Sequence, residues 1–393
     1  MKRFALLALC LSIAAGLAPA GASPQAVPAR ALSDGEARAL VARAVAPVMK
    51  RYGIPGMAIG ISVGGRHYVC DFGLASKATG RRVEDSTLFE IGSIAKTFTA
   101  SLTSYAELTG RLSLEDEVSA AFPPLRGTSF DRVRLVDLAT HTSGGLPLQF
   151  PDGVRSDADA MSYYRHWKPS HPAGTYRLYS NTGIMLLGVV AAHRLGGPFE
   201  TLMQRNVFAP LGLHDTYLEV PAAASLRYAQ GYTDAGKPRR MSPGPLAPEA
   251  YGIRTTAPDM LRFIDANMAA PQAGDVLLRA IRRTHTGYYR IGAMTQDLVW
   301  EQYRYPLSLS DVLRGNSDDM IFEANPAAKL DPPLPPGADV LIDKTGSTSG
   351  FAAYVAFAPE RKIGIVLLAN RSYPIAARVA AAYRILTALV RGE

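Results

Sequence analysis

The stretch Phe89-Glu90-Ile91-Gly92-Ser93-Ile94-Ala95-Lys96-Thr97-Phe98 sets a serine three residues before a lysine at what reads as the start of a helix. On a helix those two side chains share a face. A serine hydroxyl is a poor nucleophile at neutral pH unless a base lies within hydrogen-bond reach, and a desolvated amine one turn away can be that base. The stretch therefore points to acyl transfer. Alone, Ser-x-x-Lys equally fits a helix N-cap serine beside a solvated lysine, so the reading depends on its company.

Two further triplets supply that company. Tyr179-Ser180-Asn181 lies inside Arg177-Leu178-Tyr179-Ser180-Asn181-Thr182, and Lys344-Thr345-Gly346 closes an apolar strand-like run. Together with Ser93 and Lys96 they form the three-part set of penicillin-recognising serine enzymes. Two groups are then candidates to take the serine proton, Lys96 as a neutral amine and Tyr179 as a phenolate. Each needs a lowered pKa, and cationic neighbours favour the phenolate. Because such groups are coupled, one proton need not belong to one residue.

At this point the chain resembles the class C β-lactamases. The likeness runs through Thr87-Leu88-Phe89-Glu90-Ile91-Gly92-Ser93, Leu138-Ala139-Thr140-His141-Thr142-Ser143-Gly144-Gly145-Leu146-Pro147-Leu148-Gln149, Lys344-Thr345-Gly346-Ser347-Thr348-Ser349-Gly350-Phe351, and the later Leu368-Ala369-Asn370 and Tyr373-Pro374. The resemblance implies a β-lactamase/transpeptidase-like fold, hydrolysis of β-lactam antibiotics with cephalosporins favoured, a periplasmic location and no cofactor. It implies that Ser93 attacks the lactam carbonyl, with its N–H and that of Ser347 as oxyanion hole, and that Tyr179, held by Lys96 and Lys344, accepts the proton. Gln149 and Asn181 would hold the amide side chain of the substrate, and Lys344 and Thr345 would face its carboxylate, with Gly346 and Ser347 also among the substrate-binding residues. Against these stand plainer readings: Gln149 as a solvated loop amide, Asn181 and Ser347 as turn residues, and Glu90 as a charge serving the first turn of the helix. The chain also departs from the family. Asp297-Leu298-Val299 precedes Trp300-Glu301 where members often carry Gly-Leu-Gly, and Ile375 follows Tyr373-Pro374 where many have asparagine, leaving Arg378 to supply charge nearby.

The rest of the sequence frames this site. Apolar residues recur at helical spacing from Ser33 to about Tyr52; Met57 to Val63 and Arg66 to Gly73 read as antiparallel strands joined by Gly64-Gly65. Strand patterns return at Asp339–Thr345, Phe351–Ala358 and Lys362–Ala369, followed by a helix from about Ala376 to Val390. The expected class is α/β in the α+β sense: an antiparallel sheet built from both chain ends and flanked by helices, with a mostly helical second domain. The sheet domain would span about 30–88 and 290–393, the helical domain about 89–289.

Residues 1–22 read as a signal peptide: Met1-Lys2-Arg3, an apolar run to about Leu17, then small residues through Ala22. Its removal leaves Cys70 as the one cysteine, in a packed strand setting that suits an inert core thiol. The formal charge of +8 falls to +6 without Lys2 and Arg3. Basic residues are dispersed in short pairs such as Arg239-Arg240, so no nucleic-acid partner is expected. No later apolar run is long enough to span a membrane, the seven histidines show no tight ligand spacing for a metal, and the chain reads as a monomer.

Three rivals share parts of this pattern: a D-alanyl-D-alanine peptidase, an esterase on the same scaffold, and a non-catalytic penicillin sensor. Lys344 argues against an esterase, whose substrates carry no carboxylate to pair with it. The peptidase and sensor differ from a β-lactamase in how slowly the acyl group leaves, which the motifs barely report.

Overall fold

The computed structural model describes residues 32–337 and 339–391; the proposed signal peptide lies outside them. The first helix, α1 (Asp34–Tyr52), starts at a capping box in which Ser33 and Glu36 satisfy each other's backbone N–H groups and ends at the left-handed Gly53. It leads into β1 (Gly56–Val63) and β2 (Arg66–Gly73), joined by Gly64 and Gly65 at φ 59° and 85°, the positive values that a two-residue hairpin turn demands.

Seven more strands complete the main sheet: β3 (Gly287–Ile291), β4 (Met294–Gln296), β5 (Glu301–Arg304), β6 (Ala328–Leu334), β7 (Val340–Ser347), β8 (Ala352–Ala358) and β9 (Ile363–Ala369). Their order is β6-β3-β4-β5-β7-β8-β9-β1-β2, with every pairing antiparallel. The two chain ends meet at β9 and β1, where Met57 pairs with Ala369 and Val63 with Ile363.

Both faces of this sheet are covered, which explains why β1, β8 and β9 read as continuous apolar runs rather than as alternating ones. Met57, Ile59, Ile61, Ile365 and Leu367 pack with α1 and with the C-terminal helix Ile375–Arg391. Val355, Phe357, Val366 and Leu368 face the other way, onto Met260, Leu261, Phe263 and Ile264 of the helix Ala257–Met268. That helix belongs in sequence to the helical stretch but serves as a cover for the sheet. Cys70 is buried on β2, and burial pushes its thiol pKa up, as an inert core position requires.

The segment between β2 and β3 is mainly helical. Its centre is Asn181–Leu195, capped by Ser180, whose Oγ accepts from Gly183 N at 2.8 Å, and stopped by the left-handed Gly196. This helix packs against Ala95–Leu108, the helix that follows Ser93. The two short helical and coil segments before and after Leu246 bring Glu249 against Gly188, where a side-chain β-carbon would meet the Glu249 Cγ at 2.6 Å.

Glu249 is buried with Oε2 unpaired, and burial lifts its carboxyl to about 8. A raised folded-state pKa means that the folded protein holds this proton more tightly than the unfolded chain, so the contribution is full below about 4.5 and is lost as pH rises through about 8. Glu249→Gln should therefore match the wild type at pH 5 and exceed its stability by on the order of 1–3 kcal/mol at pH 9. Thermal unfolding at the two pH values measures this; an equal Tm at pH 9 would remove Glu249 as a source of alkaline instability.

Candidate active site

Ser93 sits in a 3-10 turn, Gly92–Ile94, that runs directly into the helix Ala95–Leu108. The end of β7 lies against that turn at backbone distance. A β-carbon on Gly346 would fall 1.9 Å from Ile91 O, and one on Gly92, at φ 51°, would fall 2.6 Å from Ser347 N. Only glycine at both positions lets the Lys344-Thr345-Gly346 strand approach Ser93 this closely.

Lys96 is fully buried, and its Nζ donates to Ser93 Oγ at 2.8 Å and to Ala250 O at 3.0 Å. The Tyr179 ring stands between the two lysines, with Lys96 Nζ 5.4 Å and Lys344 Nζ 4.9 Å from its centroid. The Tyr179 hydroxyl is buried and has no hydrogen-bond partner of normal geometry. Burial pushes the phenol up, but the charges of Lys344 and then Lys96, with help from the Ser93 hydroxyl, outweigh it and bring the pKa down to about 8. Burial also lowers Lys96 to about 8, against the opposing pull of Tyr179. For Lys344, burial is more than offset by Tyr179 and Glu301, and its pKa rises. The serine thus meets two groups that change protonation in the same range, and a third that stays cationic.

Ser93, Tyr179 and Lys344 line a cleft of about 270 Å³ that also includes Gln149, Asn181, Thr345, Gly346, Ser347 and Ile375. Gln149 is exposed at the lip, while Asn181 is buried at the start of its helix, with Oδ1 unpaired. Eight of the ten site residues expected from the sequence therefore line one cavity, and Lys96, buried behind it, reaches it through its hydrogen bond to Ser93 Oγ. Arg378 is the exception. It is buried beneath the strand end, where it donates to Gly346 O, Ala353 O, Tyr373 O and Ser347 Oγ. Its guanidinium supports the strand and does not face the cleft. Burial lowers its pKa to about 10.

Glu90 also departs from expectation. Its carboxylate does not serve the helix start; it accepts hydrogen bonds from Tyr228 Oη, Met241 N and Thr348 Oγ1. The Asp297–Val299 stretch forms a tight turn, with Asp297 N donating to Trp300 O at 3.0 Å. Val299 takes φ 68° there and is held by a 2.9 Å hydrogen bond from its N–H to Ala139 O.

Sequence reasoning missed the charged support behind Tyr179. Arg177 is buried and donates to Glu301 Oε1 at 2.8 Å, Gln296 Oε1 at 2.6 Å and Met320 O at 2.6 Å. Glu301 lies 4.0 Å from Lys344 Nζ. The His141 ring lies tilted against Tyr179, 4.4 Å between centroids, accepts from Ser180 N through Nδ1, and is held neutral by burial and by Arg177, Lys96 and Lys344. The available signal was adjacency: Arg177 stands two residues before Tyr179, and Glu301 follows the displaced Gly-Leu-Gly position.

A family model described as Beta-lactamase matches residues 41–390. The β-lactamase of Lysobacter lactamgenus is 49% identical over 98% of this chain and 98% of its own length. This chain belongs to the class C β-lactamase family. Among solved structures, a class C β-lactamase in complex with cefoxitin is 44% identical with a TM-score of 0.87, covering 90% of this chain and 99% of that one. The D-alanine carboxypeptidase AmpC from Burkholderia cenocepacia is 50% identical with a TM-score of 0.86, covering 91% and 100%. The fold is β-lactamase/transpeptidase-like, as its sheet and helices imply.

Removing Arg177 would leave the Glu301 carboxylate buried beside Lys344 alone. Arg177→Leu should cost about 3–5 kcal/mol in denaturant unfolding, and the double variant Arg177→Leu/Glu301→Gln should cost less because no carboxylate is stranded. A double variant as unstable as the single one would contradict this account of the pair.

Proposed function

We propose that this class C β-lactamase opens β-lactam rings through an acyl-enzyme on Ser93, with cephalosporins as the favoured class. The observation that carries the reading is the 2.8 Å hydrogen bond from Lys96 to Ser93 Oγ beside a phenol lowered to about 8. In the proposed reaction, Ser93 Oγ attacks the lactam carbonyl carbon and its proton passes to Tyr179 as phenolate. The negative oxygen of the tetrahedral intermediate takes hydrogen bonds from the N–H groups of Ser93 and Ser347, an interaction that can contribute about 3–4 kcal/mol per donor. As the C–N bond breaks, Tyr179 returns the proton to the leaving nitrogen. Tyr179 then takes a proton from water, the resulting hydroxide attacks the acyl carbon, and the proton goes back to Ser93 Oγ as the product acid departs.

Lys344 and Thr345 would receive the substrate carboxylate, while Gln149 and Asn181 hold its amide side chain. Ile375 places an apolar wall in the cleft and narrows the polar contacts at the carboxylate end. Export to the periplasm is part of the reading, supported by the residue pattern of positions 1–22. Among the described residues no helix is long and apolar enough to cross a membrane. A monomer is part of the same reading. A second reading, D-alanyl-D-alanine peptidase, draws on the carboxypeptidase named among the similar structures.

Steady-state hydrolysis of a chromogenic cephalosporin separates these readings. Sustained turnover supports the β-lactamase, whereas a burst of one equivalent followed by arrest favours the peptidase. Ser93→Ala should abolish turnover while leaving the unfolding profile intact; unchanged turnover would refute the nucleophile assignment. Lys344→Ala should lose about 10–100-fold more kcat/KM on anionic β-lactams than on neutral esters. Equal losses on both would exclude carboxylate recognition by Lys344.

A further inference from the structure

Glu90 is an acceptor-only carboxylate, 1% exposed, placed three residues before Ser93. Its two oxygens collect donors from three separate segments. Oε1 accepts from Tyr228 Oη and, at 2.8 Å, from Met241 N; Oε2 accepts from Thr348 Oγ1. Thr348 directly follows Ser347, and its own N–H donates to Phe351 O at 3.0 Å, closing the turn between β7 and β8. Phe351 in turn stacks on the Tyr228 ring, 6.2 Å between centroids. On its backbone side, Glu90 pairs with Arg254 in a short two-stranded sheet, and the next residue, Ile91, donates to Ile253 O at 3.2 Å.

One carboxylate therefore ties the turn that carries Ser93 to the strand end that carries Ser347. The backbone packing of Gly92 on Ser347 and of Gly346 on Ile91 brings those two segments together. The side-chain bond from Thr348 to Glu90 adds a directional tie between them. We propose that Glu90, acting through Thr348, is a positioning residue that sets the spacing between the Ser93 and Ser347 N–H groups and so the geometry of the oxyanion hole. This inference rests on the acyl-enzyme reading above and deepens it.

The consequence is a defect confined to the tetrahedral state. An oxyanion hole must meet the negative charge that develops on the carbonyl oxygen only as attack proceeds, so a displaced donor lowers kcat and leaves ground-state binding nearly unchanged. Thr348→Val removes one donor with little change of shape, and leaves Tyr228 and Met241 still bound to Glu90. It should lower kcat for a chromogenic cephalosporin by about 10–100-fold, with KM within about threefold. Thr348→Ser, which keeps the hydroxyl, should restore most of the rate. Phenylboronic acid, which forms a tetrahedral adduct with a serine oxygen, should bind Thr348→Val more weakly by a factor similar to the loss in kcat.

Glu90→Ala should show the same split, and adding Thr348→Val to it should cause no further loss, since both break one connection. If Glu90→Ala does not fold, the Thr348 variants decide the matter alone. Wild-type kcat in Thr348→Val, a loss that serine fails to rescue, unchanged boronate affinity, or additive losses in the double variant would each overturn the proposal. Failure of the underlying reading looks different: the wild-type protein itself would show no sustained cephalosporin turnover.

Discussion

Desolvation of two lysines around one phenol is the constraint on which the site depends. An ammonium group taken out of water loses several kcal/mol of hydration, and a protein keeps it charged only when an anion or a set of acceptors lies close by. Lys96 and Lys344 are both buried here, and Tyr179 stands between them. The phenol is pulled toward phenolate and Lys96 toward the neutral amine, so both fall to about 8. In the proposed reaction, serine activation follows from that balance: the proton leaving Ser93 meets two groups, Tyr179 and Lys96, that both change protonation near 8.

The balance needs support from outside the reacting groups. Glu301 draws Lys344 toward the cationic state, and Arg177 forms a buried ion pair with Glu301 at 2.8 Å. His141, kept neutral by burial and by the arginine and two lysines near it, gives Tyr179 a ring contact without adding charge. The chain of charges thus alternates from Arg177 through Glu301 and Lys344 to Tyr179 and Lys96. Removing an outer member changes the cost of keeping the inner ones buried.

A second demand is proximity of backbone to backbone. The proposed oxyanion donors belong to segments 254 residues apart in the chain, and they meet because Gly92 and Gly346 carry no β-carbon. Arg378, expected at the substrate carboxylate, works instead from beneath: its guanidinium holds Gly346 O and Ser347 Oγ and so fixes the strand end. Glu90, expected at the helix start, fixes the same strand end from the other side through Thr348. In both cases a charged residue that looked available for substrate or dipole is consumed by backbone positioning.

The residue types at Ser93, Lys96, Tyr179 and Lys344, and the apolar runs of β1, β2 and β7 to β9, were legible because each carries its signal locally: a helical spacing, a strand end, a hairpin glycine pair. The four strands β3 to β6 were not legible. The strands β3 to β5 are short, and β6 contains Asp331-Pro332-Pro333 at the sheet edge, where an extended chain needs no apolar run to hold it. The sequence by itself determined the chemistry available and the core of the sheet, since those depend on neighbours a few residues away. Only the tertiary structure decided the roles of Arg177, Glu301, Glu90 and Arg378, because the pairing of a buried charge is set by whichever distant segment folds against it.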